Sequence, residues 1–119
     1  MTSETLQQIT GAKVKFFRPP FGARRPEVYR IARELGLVPV LWNAMTKDWK
    51  EPPAEWIAKQ LTQKIERLRR RGLAANIVLH DGGHRDAHAN REPSVTAAGM
   101  LIERYKPTCQ FVTLDAWAS

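Results

Sequence analysis

Cysteine is almost absent from this chain: one, Cys109, among 119 residues. No disulfide can therefore form within the chain, and a small buried thiol is the default role for Cys109. Long apolar runs are also lacking, and none approaches the ~20 residues needed to cross a bilayer. No internal repeat or low-complexity tract is present, and with four tryptophans and 43% apolar residues the composition excludes a disordered chain. Acidic charge is scarce, with 12 Asp and Glu against 19 Lys and Arg, a net charge of +7. That balance permits an acidic partner such as nucleic acid. Much of it lies in helix last turns, however, as in Arg67, Arg69, Arg70 and Arg71 before Gly72, where it complements the helix dipole. A solvated face is the favoured reading, and neither a nucleic-acid nor a membrane partner is expected. The opening Met1-Thr2-Ser3-Glu4 lacks the basic and apolar regions of a signal peptide, so a cytoplasmic location is expected for the chain as written.

What is present is an alternation of strand and helix patterns. Residues 4–10 read as a helix tail ending near Gly11. Val14-Lys15-Phe16-Phe17 reads as a short strand halted by Pro19-Pro20. Pro26 starts a helix with Val28, Ile31, Ala32 and Leu35 on one face, and Gly36 ends it. Leu37 to Trp42 is a nearly continuous apolar run, typical of a strand covered on both faces, although Pro39 inside it signals an edge or a bulge. Asn43 to Pro52 reads as a polar loop. Pro52-Pro53 opens the longest helix, with Ile57, Leu61, Ile65 and Leu68 on one face. Ala75 to Leu79 is a further strand, Pro93 starts a helix with Ala98, Leu101, Ile102 and Tyr105 on one face, and Phe111 to Leu114 is a closing strand. The expectation is an α/β chain with about four parallel strands alternating with helices, a single domain over residues 1–119.

Three polar segments stand at or just beyond strand ends: Arg18-Pro19-Pro20-Phe21-Gly22, Asp48-Trp49 and Leu79-His80-Asp81-Gly82-Gly83. Carboxyl ends of parallel strands are where α/β enzymes place their sites. His80 can act as a general acid or base near neutral pH, or simply bond a backbone carbonyl; position alone leaves both open. Asp48 can bond an imidazole nitrogen and fix its tautomer, or form a turn. Trp49 can line a sugar platform or merely cover the rim. Arg18 can hold a carboxylate bidentately or lie on the surface. Gly82-Gly83 lets a ligand approach closely. His84 and His88 have a spacing that binds metal on a helix, but their segment reads as a loop, and no metal site is expected there.

Taken together, the Arg18–Gly22 segment, Asp48-Trp49 and Ile77-Val78-Leu79-His80-Asp81 resemble the third, fourth and fifth motifs of the polysaccharide deacetylases, carbohydrate esterase family four. The resemblance runs from residue 14 to residue 115. It implies a (β/α) barrel, of which this chain is the carboxyl-terminal half, and hydrolysis of the carbon–nitrogen bond of N-acetyl groups on chitin- or peptidoglycan-type glycans. It further implies a divalent metal, zinc or cobalt, that polarises the acetamide and activates water, with an Asp as base. On this resemblance His80 is the acid that protonates the leaving amine, Asp48 orients it and Arg18 braces the base. Leu79 helps form the pocket for the acetyl methyl, and Trp49 and Phe21 bind substrate. Members of the family are often exported.

The resemblance stops short of the family's first two motifs, a Thr-Phe-Asp-Asp strand end and a His-x-x-x-His pair. Residues 1–13 contain neither Asp nor His. His84 and His88 have the internal spacing of the second motif but follow the fifth. Met45 stands where the family often has an Asp. The chain alone is thus expected to hold no metal cofactor and to be inactive. Four strands fall well short of the roughly eight that close a barrel, so open edges are expected to be covered by another copy or by a partner supplying the missing half. A non-catalytic glycan-binding or assembly module on the same scaffold is the alternative.

Overall fold

The computed structural model describes residues 2–83 and 85–118. Its elements run α1 (Thr2–Thr10), β1 (Phe16–Phe17), α2 (Pro26–Glu34), β2 (Val38–Pro39), β3 (Ala44–Met45), α3 (Ala54–Arg70), β4 (Ile77–Val78), α4 (Glu92–Tyr105) and α5 (Leu114–Ala118). Short 3-10 turns occupy Pro20–Gly22 and Asp48–Lys50. The class is α/β with a few short parallel strands. Contacts gather into two compact units, Met1–Leu41 and Trp42–Ser119.

In the first unit β1 and β2 pair in parallel, Phe16 opposite Val38 and Phe17 opposite Pro39, with α2 between them in the chain. Pro39 is accommodated by the ladder's own alternation. The amides of Val38 and Val40 donate to the carbonyls of Lys15 and Phe17, both at 2.8 Å. In a parallel pair only every second amide faces the neighbour, so the donor that proline lacks falls on the side away from β1. That side cannot continue a ladder through residue 39, which makes it an edge. Helix α2 closes on Gly36 at φ 70, where Leu37 N–H reaches back to the Ala32 carbonyl (2.8 Å) and Gly36 N–H to that of Arg33 (2.9 Å). This pair of bonds satisfies the last carbonyls and requires a left-handed residue. Of the expected apolar face only Ala32 is buried; Ile31 and Leu35 are exposed.

The second unit carries the core. β3 and β4 pair in parallel, Ala44 opposite Ile77 and Met45 opposite Val78, with α3 as their connection. Asn43 lengthens the pairing through its side chain: its Oδ1 accepts from Asn76 N–H (2.7 Å) and its Nδ2 donates to the Ala74 carbonyl (2.9 Å). Helix α3 buries Ile57, Ala58, Leu61 and Ile65, and α4 lays Ser94, Ala97, Leu101 and Tyr105 against it. The expected α3 face holds. The α4 face is rotated from the expected one, with Ala97 buried and Ile102 exposed.

Two expectations are corrected. Residues 44–45, expected in a loop, form a strand, because Ala44 is small enough to be fully enclosed between β4 and α3. Phe111 to Leu114, expected as the closing strand, does not form one. Phe111 and Val112 are exposed, and from Leu114 the chain turns helical, with Trp117 N–H bonded to the Thr113 carbonyl at 3.1 Å. A four-residue strand gains little without a ladder and buried side chains, and the Leu-Asp-Ala-Trp-Ala run then follows its local helical preference. No helix among the described residues is long and apolar enough to cross a membrane.

Candidate functional site

The site grows from three places in the second unit: the turn after β3, the chain end after β4 and the first turn of α4. Asp48 opens the 3-10 turn and is 1% exposed. A carboxylate so buried needs donors, since its oxygens can only accept. It has three. His80 Nδ1 lies 2.8 Å from Oδ1, His80 backbone N–H donates to Oδ2 at 2.7 Å, and Ser94 Oγ donates to Oδ2 at 2.9 Å. Because the carboxylate accepts, the proton between it and the ring sits on Nδ1. Nε2 is then the nitrogen left for exchange with a substrate. The His80 side chain is 38% exposed while that of Asp48 is fully enclosed, so the ring links a buried anion to solvent.

Trp49 packs beside the imidazole, ring centroids 5.0 Å apart and planes at 71°, an edge-to-face contact. Its own partial exposure leaves part of the indole available for contact. The Asp48 turn ends at Glu51, a left-handed residue at φ 55, whose carboxylate accepts from Asn90 N–H at 2.8 Å. That bond ties the Asp48 turn to the loop following His80. Arg91 closes the same loop, its Nε donating to the Gly82 carbonyl at 3.2 Å. Gly83 is small for the loop's own reasons: a Cβ there would stand 2.5 Å from the Asp86 carbonyl oxygen and 3.0 Å from Ala89 Cβ. Internal packing, rather than approach of a ligand, accounts for this glycine.

Of the residues singled out from sequence, the structure brings together His80, Asp48 and Trp49. Leu79 packs against the hydrophobic core and lines, with Ile77, Leu101 and Tyr105, an apolar cavity of about 610 Å³. Side chains alternate along extended chain, so Leu79 goes with Ile77 toward the core and Val78 falls on the same side as His80. Arg18 and Phe21 belong to the first unit. Arg18 Nε donates to the Val40 carbonyl at 3.4 Å, and Phe21 is 89% exposed at φ 54, a conformation unusual for a bulky residue. Ser94 was not legible as a site residue. Its only signal was a serine in the first turn of the helix that follows the His80 loop.

The described residues do not fit a metal. No three His, Cys, Asp or Glu side chains among them converge. Both oxygens of Asp48 are engaged by donors, and Nδ1 of His80 is engaged by Asp48. His84, half of the pair with metal-binding spacing, lies outside the described residues; His88 is exposed.

No family model matches the chain. A peptidoglycan-N-acetylglucosamine deacetylase from Bacillus cereus is 32% identical over 101 residues, covering 83% of this chain and 43% of that protein. Among solved structures, a peptidoglycan N-acetylglucosamine deacetylase superposes with a TM-score of 0.76 at 27% identity, covering 97% of this chain and 50% of the other. A CE4 family pseudoenzyme from Bacillus anthracis superposes with a TM-score of 0.66 at 26% identity, covering 89% of this chain and 32% of the other. The chain thus spans half or less of the length of each of these proteins.

Proposed function

We infer from the family to which this chain belongs, the polysaccharide deacetylases of carbohydrate esterase family four, that its His80–Asp48 pair is the proton-donating side of an N-deacetylase site. The observation that carries this is the 2.8 Å contact between a fully enclosed carboxylate and a half-exposed imidazole. The chain is deacetylase-like, and by itself inactive. Its substrate class is an N-acetylated glycan of the peptidoglycan or chitin type. Its scaffold is a portion of a (β/α) barrel.

The chemistry assigned to these residues is limited and specific. Water adds to the acetamide carbonyl, the carbon–nitrogen bond breaks, acetate departs, and the amine leaves with the proton delivered from His80 Nε2. Asp48 holds the ring by Nδ1, keeps Nε2 outward and stabilises the imidazolium charge before transfer. Trp49 offers the exposed part of its indole to a sugar ring, and Phe21, in the first unit, is carried as a substrate contact by the resemblance alone. Arg18 is assigned the bracing of a base that this chain does not hold. Zinc or cobalt, implied by the resemblance, finds no ligand set among the described residues, and no step is routed through either. Base and ligands come from residues outside this chain, on a partner or on another part of the domain.

Complementation tests this. The purified chain is mixed, or co-expressed, with a segment from a homologous deacetylase that carries the Thr-Phe-Asp-Asp and His-x-x-x-His motifs. Acetate release from an N-acetylglucosamine oligomer is expected only from the combination, and its loss in His80→Ala. Release by the chain alone contradicts the assignment. A folded combination that releases no acetate, yet shows glycan-dependent quenching of Trp49 fluorescence, replaces it with a non-catalytic glycan-holding role.

A further inference from the structure

We propose that Ser94 is a positioning residue for the His80–Asp48 pair, acting through the Asp48 carboxylate; the catalytic meaning of this rests on the function inferred above. Two of the three bonds that Asp48 accepts come from one residue, His80: its ring on Oδ1 and its backbone amide on Oδ2. Both move with the chain end after β4. Among the described residues, only the Ser94 hydroxyl, 2.9 Å from Oδ2, reaches Asp48 from a different element. Ser94 is itself buried, on the face of α4 that continues through Ala97, Leu101 and Tyr105 into the core.

The direction of this bond is fixed by chemistry. A carboxylate cannot donate, so the serine hydrogen points at Oδ2. At the start of α4 the side-chain bond to the helix comes from Asn90, whose Oδ1 accepts from Glu92 N–H at 3.0 Å. The Ser94 hydroxyl is directed instead at Asp48. By pinning Oδ2 it sets the plane of the carboxylate, which in turn presents Oδ1 to Nδ1. A rotation of the carboxylate about its Cβ–Cγ bond would break the Nδ1 contact while leaving the fold intact. Ser94 is what opposes that rotation from outside the His80 segment. The consequence is that the packing of α4 on α3 is transmitted to the orientation of the imidazole through one hydrogen bond.

The test needs no acetate release and is independent of whether the pair catalyses deacetylation. Proton and nitrogen NMR of the chain reports the imidazole Nδ1–H engaged with Asp48 as a downfield resonance, together with the His80 backbone amide. In Ser94→Ala the Nδ1–H resonance is expected to exchange with water roughly tenfold to a hundredfold faster, the factor for losing a hydrogen bond to a charged group. The His80 amide should shift with it. Ser94→Thr keeps the hydroxyl and should restore both signals. An unchanged Nδ1–H exchange rate in a folded Ser94→Ala protein overturns the proposal. Should the alanine variant not fold, the threonine variant decides: a folded Ser94→Thr protein with both signals supports the assignment, and one lacking them refutes it.

Discussion

Asp48 shows how much a single carboxylate can organise. Its shape could be kept and its chemistry changed by Asp48→Asn. An amide has one acceptor oxygen and one NH2 group, and the three groups around Asp48 include two fixed donors at Oδ2. The amide oxygen should settle there, and the NH2 should face His80 Nδ1. The imidazole must then accept at Nδ1 and carry its proton on Nε2, the reverse of the wild-type tautomer. Nitrogen NMR shifts of the ring distinguish the two tautomers directly, and the swap is the expected result. Stability should fall by about 1–3 kcal/mol, the usual cost of disturbing a buried hydrogen-bonded group, as read by urea unfolding. Retention of an Nδ1–H ring would show that the carboxylate does not set the tautomer.

At the scale of elements, the helices carry the stability that the two-residue strands cannot. α3 and α4 are joined by apolar packing and by polar contacts at Tyr105, whose Oη donates to Glu66 Oε1 at 2.8 Å and whose ring lies 6.0 Å from the Arg69 guanidinium. That bond from Tyr105 is the main reason the Glu66 carboxyl titrates below its ordinary value of 4.5; burial opposes it, and Arg69 assists through a hydrogen bond and its charge. A carboxyl lowered in the folded state adds stability that is present above its unfolded value and lost as pH falls through the folded one. The thermal midpoint of the wild-type protein should thus drop more steeply below about pH 4.5 than that of Glu66→Gln. Parallel curves for the two proteins would remove Glu66 from the acid response. Burial first, and then the bond to Glu66, push the Tyr105 hydroxyl above its ordinary value of 10.0, so its contribution to stability is full below that value and is lost as pH rises through the folded one.

Element by element, the helices were legible because their signals are local. Prolines, apolar spacing and the terminal glycines bracket α2 and α3 within two residues of their observed ends, and Pro93 marks the start of α4. The strands were less so. Ala44-Met45 carries no strand composition of its own and pairs because Ile77-Val78 lies beside it, a fact of tertiary contact. Phe111 to Thr113 has strand composition but no ladder. The site divides the same way. His80, Asp48 and Trp49 stand in motifs, while Ser94 joins them only through the docking of α4, 46 residues away in the chain from Asp48.

For the whole molecule, the ledger of covered and uncovered surface matters most. Two separate two-stranded sheets are all the described strands provide, and such pairs are marginal unless something covers them. Leu35 and Val38 in the first unit, and Phe111 and Val112 in the second, stay exposed. Open edges and apolar residues of this kind favour association, either with the complementary part of a deacetylase domain or with another copy. Light scattering of the purified chain at micromolar concentration should report a species larger than 13.6 kDa. A clean monomer that stays soluble would show that these surfaces need no cover.

The enclosure of Asp48 also bears on how such a lineage ages. Substitutions that abolish chemistry are tolerated where they cost little folding energy, and the exposed face of His80 and the rim of Trp49 are such places. Asp48 is different, since its loss strands a part-buried amide and a buried hydroxyl at once. A descendant freed from any demand for activity would be expected to erode from the rim inward, with the aspartate and its serine surviving last. Their persistence in a sequence therefore records selection for a folded protein, and the state of the rim is the better witness to whether the chemistry is still in use.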